Sequence, residues 1–118
     1  MADVSEIRLS KVERVLHVAF DDGSRFSLPA EYLRIESPSA EVQGHGPRQK
    51  QVVPGKRDVA IVRIEPVGNY AVRLVFDDQH DTGIYSWEYL HELGRQQDDR
   101  WSAYLAALER RGLSREPA

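Results

Sequence analysis

The chain contains one short pattern twice. The run VAFDD at 18–22 leads through a second apolar stretch into EYL at 31–33, and the run LVFDD at 74–78 leads in the same way into EYL at 88–90. Each copy is typical of a strand, a tight turn, a second strand and the first turn of a helix. We therefore predict an α+β fold: a small single domain of antiparallel β-hairpins with short helices, built from two related β-β-α units.

Length and composition limit the functions that the chain can have. Its 118 residues predict a single domain spanning 1–118. The absence of cysteine excludes disulfides, iron–sulfur ligation and thiolate zinc sites built from this chain by itself. A net charge of -3 does not favour nucleic-acid binding. No apolar run approaches the ~18 residues of a membrane span, so we expect a cytoplasmic protein with neither nucleic-acid nor membrane partners.

The C-terminal third predicts two helices. Ser86 is suited to be the N-cap of the first, which Gly94 is expected to end. Trp101 and Tyr104 recur at helical spacing and predict a C-terminal helix over about 98–111. The aromatic residues of this region are expected to anchor the helices on the sheet, and the last few residues to fray.

Between the two copies lies a long loop, 37–57, rich in Pro, Gly, Gln and Ser. A stretch of this length without secondary structure is usually functional or disordered. No acidic residue occurs from position 42 to 57, which indicates an electropositive arm on an acidic body. Such an arm suits an acidic partner protein or a small anion, and the alternative is a mobile solvated loop. The predicted partner-binding residues are its four cations, Arg48, Lys50, Lys56 and Arg57.

Two longer motifs resemble a known family. They are LRIESPSAEVQGHG at 33–46 and VGNYAVR at 67–73, the latter continuing as FDDQHDTGIYSW at 76–87. Over about residues 9–95 the chain resembles the gamma-butyrobetaine hydroxylase-like N-terminal domain family, also called DUF971. In the hydroxylases this domain precedes an iron- and 2-oxoglutarate-dependent catalytic domain and contributes to dimer contacts. The family is also fused to P-loop iron–sulfur scaffold ATPases and occurs as small free-standing bacterial proteins, which this chain resembles most.

The resemblance also implies a zinc site, and this chain departs from it. The three cysteines and one histidine of the family correspond to Ser37, Ser39, Val42 and His80. Neutral hydroxyls and alkyl groups are poor zinc ligands, so only His80 remains suitable. We therefore expect no family-type zinc and no cofactor.

His80 also suggests a second kind of site, because it lies in an acidic turn. A remodelled site for a divalent metal could use His80 and His45 together with the carboxylates of Glu41 and Asp78. The alternative is a solvated acidic turn whose histidine bonds the loop opposite.

No sequence pattern supports catalysis. No serine lies in a nucleophile-elbow setting, and no Asp–His pair is placed by sequence to activate one. We therefore predict a non-catalytic accessory domain that acts through protein–protein contacts, with a protein partner or as a homodimer. The alternatives are a metal-ion-binding domain around His80, an accessory factor in iron–sulfur protein assembly, and an enzyme with an unrecognised substrate.

Overall fold

A computed structural model describes residues 2–44 and 50–117 of the chain. Its strands form two three-stranded antiparallel sheets, in the order β1-β2-β3 and β4-β5-β6. The strands of the first sheet are β1 (Val4–Ser10), β2 (Val15–Phe20) and β3 (Arg25–Pro29). Those of the second sheet are β4 (Ile61–Val67), β5 (Ala71–Phe76) and β6 (Ile84–Ser86).

Each sheet leads directly into a helix. The helices are α1 (Ala30–Ile35) after the first sheet, a single turn α2 (Ala40–Gln43), α3 (Trp87–Arg95) after the second sheet, and the C-terminal α4 (Gln97–Arg110). The predicted α+β class, the two related units and the C-terminal helix are therefore confirmed. In each unit a further strand, β1 or β4, precedes the β-β-α pattern and pairs antiparallel with its first strand.

The equivalent turns of the two units use the same hydrogen bonds. In the first, Asp22 Oδ1 accepts from the backbone N–H of Ser24 at 2.9 Å. In the second, Asp78 Oδ1 accepts from the N–H of His80 at 3.2 Å. An Asp side chain that bonds the backbone two residues on is a recognised turn former. The sequence repeat thus reflects a repeated local structure.

One hydrophobic core joins the two sheets and the helices. Its buried members include Leu16, Val18, Phe20 and Leu28 from the first sheet, Val72, Leu74, Phe76 and Tyr85 from the second, and Tyr32, Leu33, Leu90 and Leu93 from the helices. Four tyrosine hydroxyls bind backbone carbonyls across the fold, since a buried hydroxyl needs a partner. These bonds run from Tyr32 to Leu93, from Tyr85 to Leu33, from Tyr89 to Glu36 and from Tyr104 to Val53.

The structure confirms one boundary prediction in the C-terminal third and corrects another. Ser86 caps α3 as predicted, because its hydroxyl accepts from Tyr89 N at 3.1 Å. Gly94 does not end that helix, which continues to Arg95. A Cβ on Gly94 would stand 2.3 Å from the ring of Phe26. This glycine therefore permits close packing of α3 against β3.

The segment 37–57 is more ordered, where described, than the predicted loop. It contains α2, and its second half pairs with the C-terminal residues. The backbone N–H of Gly55 donates to Ser114 O at 2.9 Å, and that of Arg57 to Arg115 O at 3.0 Å. The expectation that the last residues fray is therefore wrong up to Glu116, whose side chain pairs with Arg57.

In the described part of the chain, no helix is long and apolar enough to cross a membrane.

Candidate functional site

The family zinc positions lie where 37–44 meets the turn after β5. Ser39 caps α2, with its hydroxyl accepting from Glu41 N at 3.2 Å. The same hydroxyl lies 2.8 Å from Thr82 Oγ1 in the stretch that leads to β6. Val42, on the buried side of the turn, is only 1% exposed. Capping and burial together hold this segment against the second sheet.

His80 is the centre of this site, and both of its ring nitrogens are hydrogen-bonded. Nδ1 lies 3.0 Å from Glu41 Oε2 and donates to it, because a carboxylate only accepts. Nε2 of the neutral ring then accepts from the hydroxyl of Ser37 at 2.8 Å. Burial, together with the nearby charge of Arg34, lowers the pKa of His80 below its ordinary value of 6.5. The neutral imidazole is therefore the form that fits this site.

Asp78 joins three parts of the chain in the same turn. Its Oδ2 accepts from Arg34 Nε at 2.8 Å and from Lys56 Nζ at 2.7 Å. Its other oxygen accepts from the backbone of His80. Burial raises the pKa of this carboxyl, but the hydrogen bonds from Lys56 and Arg34 outweigh burial and lower the pKa to about 2. Asp78 is thus an ionised anchor for the second half of 37–57.

The residues present do not fit the zinc of the family. Of its four positions, Ser37 and His80 bind each other, Ser39 binds Thr82, and Val42 supplies only a methyl-bearing side chain. Across residues 2–44 and 50–117, no group of three or more His, Cys, Asp or Glu is arranged to hold a metal ion. The side-chain atoms of Ser37, His80 and Ser39 that could coordinate a metal are already engaged in these hydrogen bonds.

The structure brings together only part of the remodelled metal set. Glu41 contacts His80, whereas the Asp78 oxygen that faces Arg34 and Lys56 is held by these two cations. His45 lies outside the described residues. The remodelled metal site therefore stays a prediction.

Ser37, His80 and Glu41 stand in the order of a nucleophile, a base and an orienting acid. This constellation recurs in hydrolases of unrelated fold. Ser37, however, has no exposed surface, and a Cβ on Gly83 would stand 2.6 Å from its hydroxyl oxygen. A substrate carbonyl has no room beside that oxygen. The arrangement is one that sequence reasoning missed, because no local motif links Ser37 to a histidine 43 positions away.

The three predicted partner-binding cations that the structure describes are all ion-paired. Lys50 Nζ lies 2.8 Å from both carboxylate oxygens of Glu36, Lys56 binds Asp78, and Arg57 pairs with Glu116. Arg48 lies outside the described residues. Acidic residues elsewhere in the fold therefore neutralise the described cations of the segment. The described part of 37–57 is thus not the electropositive arm that the sequence predicted. The role of these cations in partner binding stays a prediction.

Glu36 is a second residue that sequence reasoning missed. It is 3% exposed, and Arg100 Nη1 on α4 lies 2.6 Å from its Oε1. With Lys50 on the other side, this buried carboxylate ties the segment to the C-terminal helix. A buried charge needs such partners to offset the loss of hydration. No local sequence signal points to it, since Arg100 is 64 positions away.

These features define a class of protein: a small α+β domain with a hydrogen-bonded polar cluster where 37–44 meets the turn after β5. The family model described as "Gamma-butyrobetaine hydroxylase-like, N-terminal" matches residues 7–91. The chain belongs to this family, as the resemblance predicted.

Solved structures agree with this membership. Two NMR solution structures match with TM-scores of 0.86 and 0.85 at 45% and 50% identity. The first match covers 100% of this chain and 93% of that chain. The second covers 99% of this chain and 87% of that chain. A crystal structure from Acidithiobacillus ferrooxidans, described as a protein of unknown function of the DUF971 family, matches with a TM-score of 0.66 and 42% identity. It covers 78% of this chain and 92% of that chain. A search of curated proteins found no match.

Proposed function

We propose that the chain is a non-catalytic, cytoplasmic accessory module that captures a partner protein through the segment 37–57. The observation that carries this proposal is the cluster around His80 and Asp78. It fastens the first half of the segment through Ser37 and Glu41, and the second half through Lys56. The described parts of the segment, 37–44 and 50–57, are already held in place, so they lose less conformational entropy on binding.

The exposed side chains of the segment favour an acidic partner. Arg57 is 54% exposed, and its pair with Glu116 is equally open to solvent. Such surface pairs contribute little to stability and exchange readily with a partner's carboxylate. Arg48 adds a second cation of the same stretch. In contrast, Lys56 is 24% exposed and neutralises the buried side of Asp78, so its main contribution is to hold the segment in place.

The test is co-purification with the full chain as bait and quantitative mass spectrometry as the readout. The capture variant carries Arg48→Ser and Arg57→Ser, and we expect it to lose the partner while its melting temperature is unchanged. The matched control carries Arg110→Ser and Arg111→Ser, two exposed arginines at the end of α4. Partners that both variants retain equally would refute the proposal.

A separate variant distinguishes binding from folding. Lys50→Ser and Lys56→Ser each remove one of two cationic partners, leaving Glu36 with Arg100 and Asp78 with Arg34, so we expect a lower melting temperature. Loss of capture in this variant alone would mean that the segment acts only when correctly folded. The identity of the partner would then show whether the module serves iron–sulfur protein assembly.

The metal-binding alternative has one supporting observation, the contact between His80 and a carboxylate that is 65% exposed. Elemental analysis of the untagged protein tests it directly. Stoichiometric metal that disappears with His80→Ala would replace the proposed function with a metal-binding one.

A further inference from the structure

Strand β1 is an outer strand of the first sheet. Within the described ranges, no strand pairs with its outer edge. Its pairing with β2 places Glu6 opposite Ala19 and Arg8 opposite His17. Its seven residues include no proline, and the register shift in its pairing with β2 lies between Val4 and Glu6, so the stretch from Glu6 to Leu9 pairs regularly.

The register decides which backbone groups of β1 point outward. In the next hairpin, the N–H of Phe20 donates to Ser24 O, so this residue bonds towards β3. Successive residues of a central antiparallel strand bond to alternate neighbours, so residues 19 and 17 bond towards β1. The backbone groups of Ile7 and Leu9 therefore point away from β2 and are available to another strand.

The side chains beside this edge carry opposite charges. Glu6 and Arg8 are both exposed and flank Ile7, whose side chain is half-buried against the core. Neither charge has an ion-pair partner in the part of the chain that the structure describes. When two copies of Glu6-Ile7-Arg8 run antiparallel, each glutamate lies opposite the arginine of the other copy.

We propose that β1 pairs antiparallel with β1 of a second copy of this chain, about a twofold axis through Ile7. In this register the two Ile7 residues exchange both backbone hydrogen bonds. Each Glu6 then lies opposite the Arg8 of the second copy, at a non-hydrogen-bonded position where cross-strand side chains are closest. The two sheets become one continuous six-stranded sheet, and the interface is isologous.

Strand β4 is the equivalent edge of the second unit, and it is protected. It contains Pro66, which cannot donate, and its Glu65 already binds Arg63 and Arg73. In the equivalent register, with Ile7 opposite Ile64, an antiparallel pair of β1 with β4 of a second copy would place Glu6 opposite Glu65 and Arg8 opposite Arg63. The charges therefore favour β1 with β1 over the mixed pairing.

Sedimentation equilibrium from micromolar to millimolar protein tests this dimer. The average mass should rise from 13.5 kDa towards twice that value. Arg8→Glu converts two attractive pairs into two repulsive ones, which should raise the dissociation constant about tenfold or more. Combining Glu6→Arg with Arg8→Glu restores complementarity and should restore the dimer. The matched control is Arg25→Glu, an exposed position on β3 of the same sheet, which should change nothing.

Amide hydrogen exchange supplies a backbone readout at the same concentrations. The amide of Ile7 should gain protection as the protein is concentrated, whereas Leu9 faces Ser5 of the second copy, at the register shift of β1. A constant monomer mass would overturn the proposal, and so would a dimer that Arg8→Glu does not weaken or that protects other amides. Because the edge of β1 is separate from 37–57, failure here leaves the capture experiment unaffected, and loss of capture leaves this dimer unaffected.

Discussion

Replacing His80 with Ala removes the side chain that joins 37–44 to the turn after β5. His80 is 3% exposed, and its bond to Ser37 is buried at both ends. Its second bond, to Glu41, ends on a carboxylate that is 65% exposed. The same ring thus makes one hydrogen bond in the interior and one at the surface, and the two can be removed separately.

The cost of His80→Ala has two parts. Loss of a buried hydrogen bond costs about 0.5–1.5 kcal/mol. Truncating a large buried ring adds a cavity term, and the sum is about 2–4 kcal/mol of unfolding free energy. For a domain near this size each kcal/mol lowers the melting temperature by roughly 4–8 °C. We therefore expect a decrease on the order of 10–30 °C.

Glu41→Ala is the matched control, because it removes only the exposed partner. It should cost less than about 1 kcal/mol. Urea unfolding of the three proteins, followed by circular dichroism, measures both values. If Glu41→Ala were as destabilising as His80→Ala, or if His80→Ala cost under about 1 kcal/mol, the buried bond to Ser37 would not be what holds the segment.

The same histidine gives the fold a pH dependence. Burial and the charge of Arg34 hold the pKa of His80 below 6.5, so below that pH the unfolded chain binds its proton first. The contribution of His80 to stability is therefore fully present above pH 6.5, and it decreases as the pH falls from 6.5 towards the pKa of His80 in the folded protein. The pKa of Asp78 is lowered from 3.8 to about 2, so its contribution is lost only at more acidic pH. Urea midpoints should fall just below pH 6.5 in the natural protein and stay flat there in His80→Ala; equal slopes would contradict this assignment.

Two further changes test packing and ligand chemistry. Gly94→Ala gains about 1 kcal/mol of helix propensity. Its Cβ would stand 2.3 Å from the ring of Phe26, however, and such overpacking costs about 1–3 kcal/mol. We therefore expect a lower urea midpoint, and a higher midpoint would show that the ring moves freely. Ser37→Cys, Ser39→Cys and Val42→Cys together restore the family ligand set, so elemental analysis should find one zinc per chain; no zinc in the folded variant would mean that more than ligand chemistry separates this chain from its family.

Much of the fold could be read from sequence because its turns and caps are local. The Asp22 and Asp78 side chains each bond a backbone group two residues on, and Ser86 bonds one three residues on. Gly94 could not be interpreted in this way. Glycine at the end of a helical pattern usually marks a stop, and only the contact with Phe26 shows why the helix continues past it.

The residues of the site could be predicted from the sequence, but the contacts between them could not. The family motif brought Ser37, Ser39 and His80 to attention, and the structure places Ser37 against His80. Glu36 stood in the same motif without any signal of its own. Its importance depends on Lys50 and on a helix far along the chain, and that proximity is a property of packing alone.

The two related units, their turns and the replacement of the zinc-ligand positions could be read directly from the sequence. These features depend on residues that are neighbours in the chain or on the chemistry of single side chains. The fold of the described parts of 37–57, and the ion pairs of Lys50, Lys56 and Arg57, became visible only in the structure. The partners of this segment come from distant positions, such as Ser114 for Gly55 and Glu116 for Arg57. Composition alone gives the charges of such a segment, whereas the fold decides which of them are already neutralised.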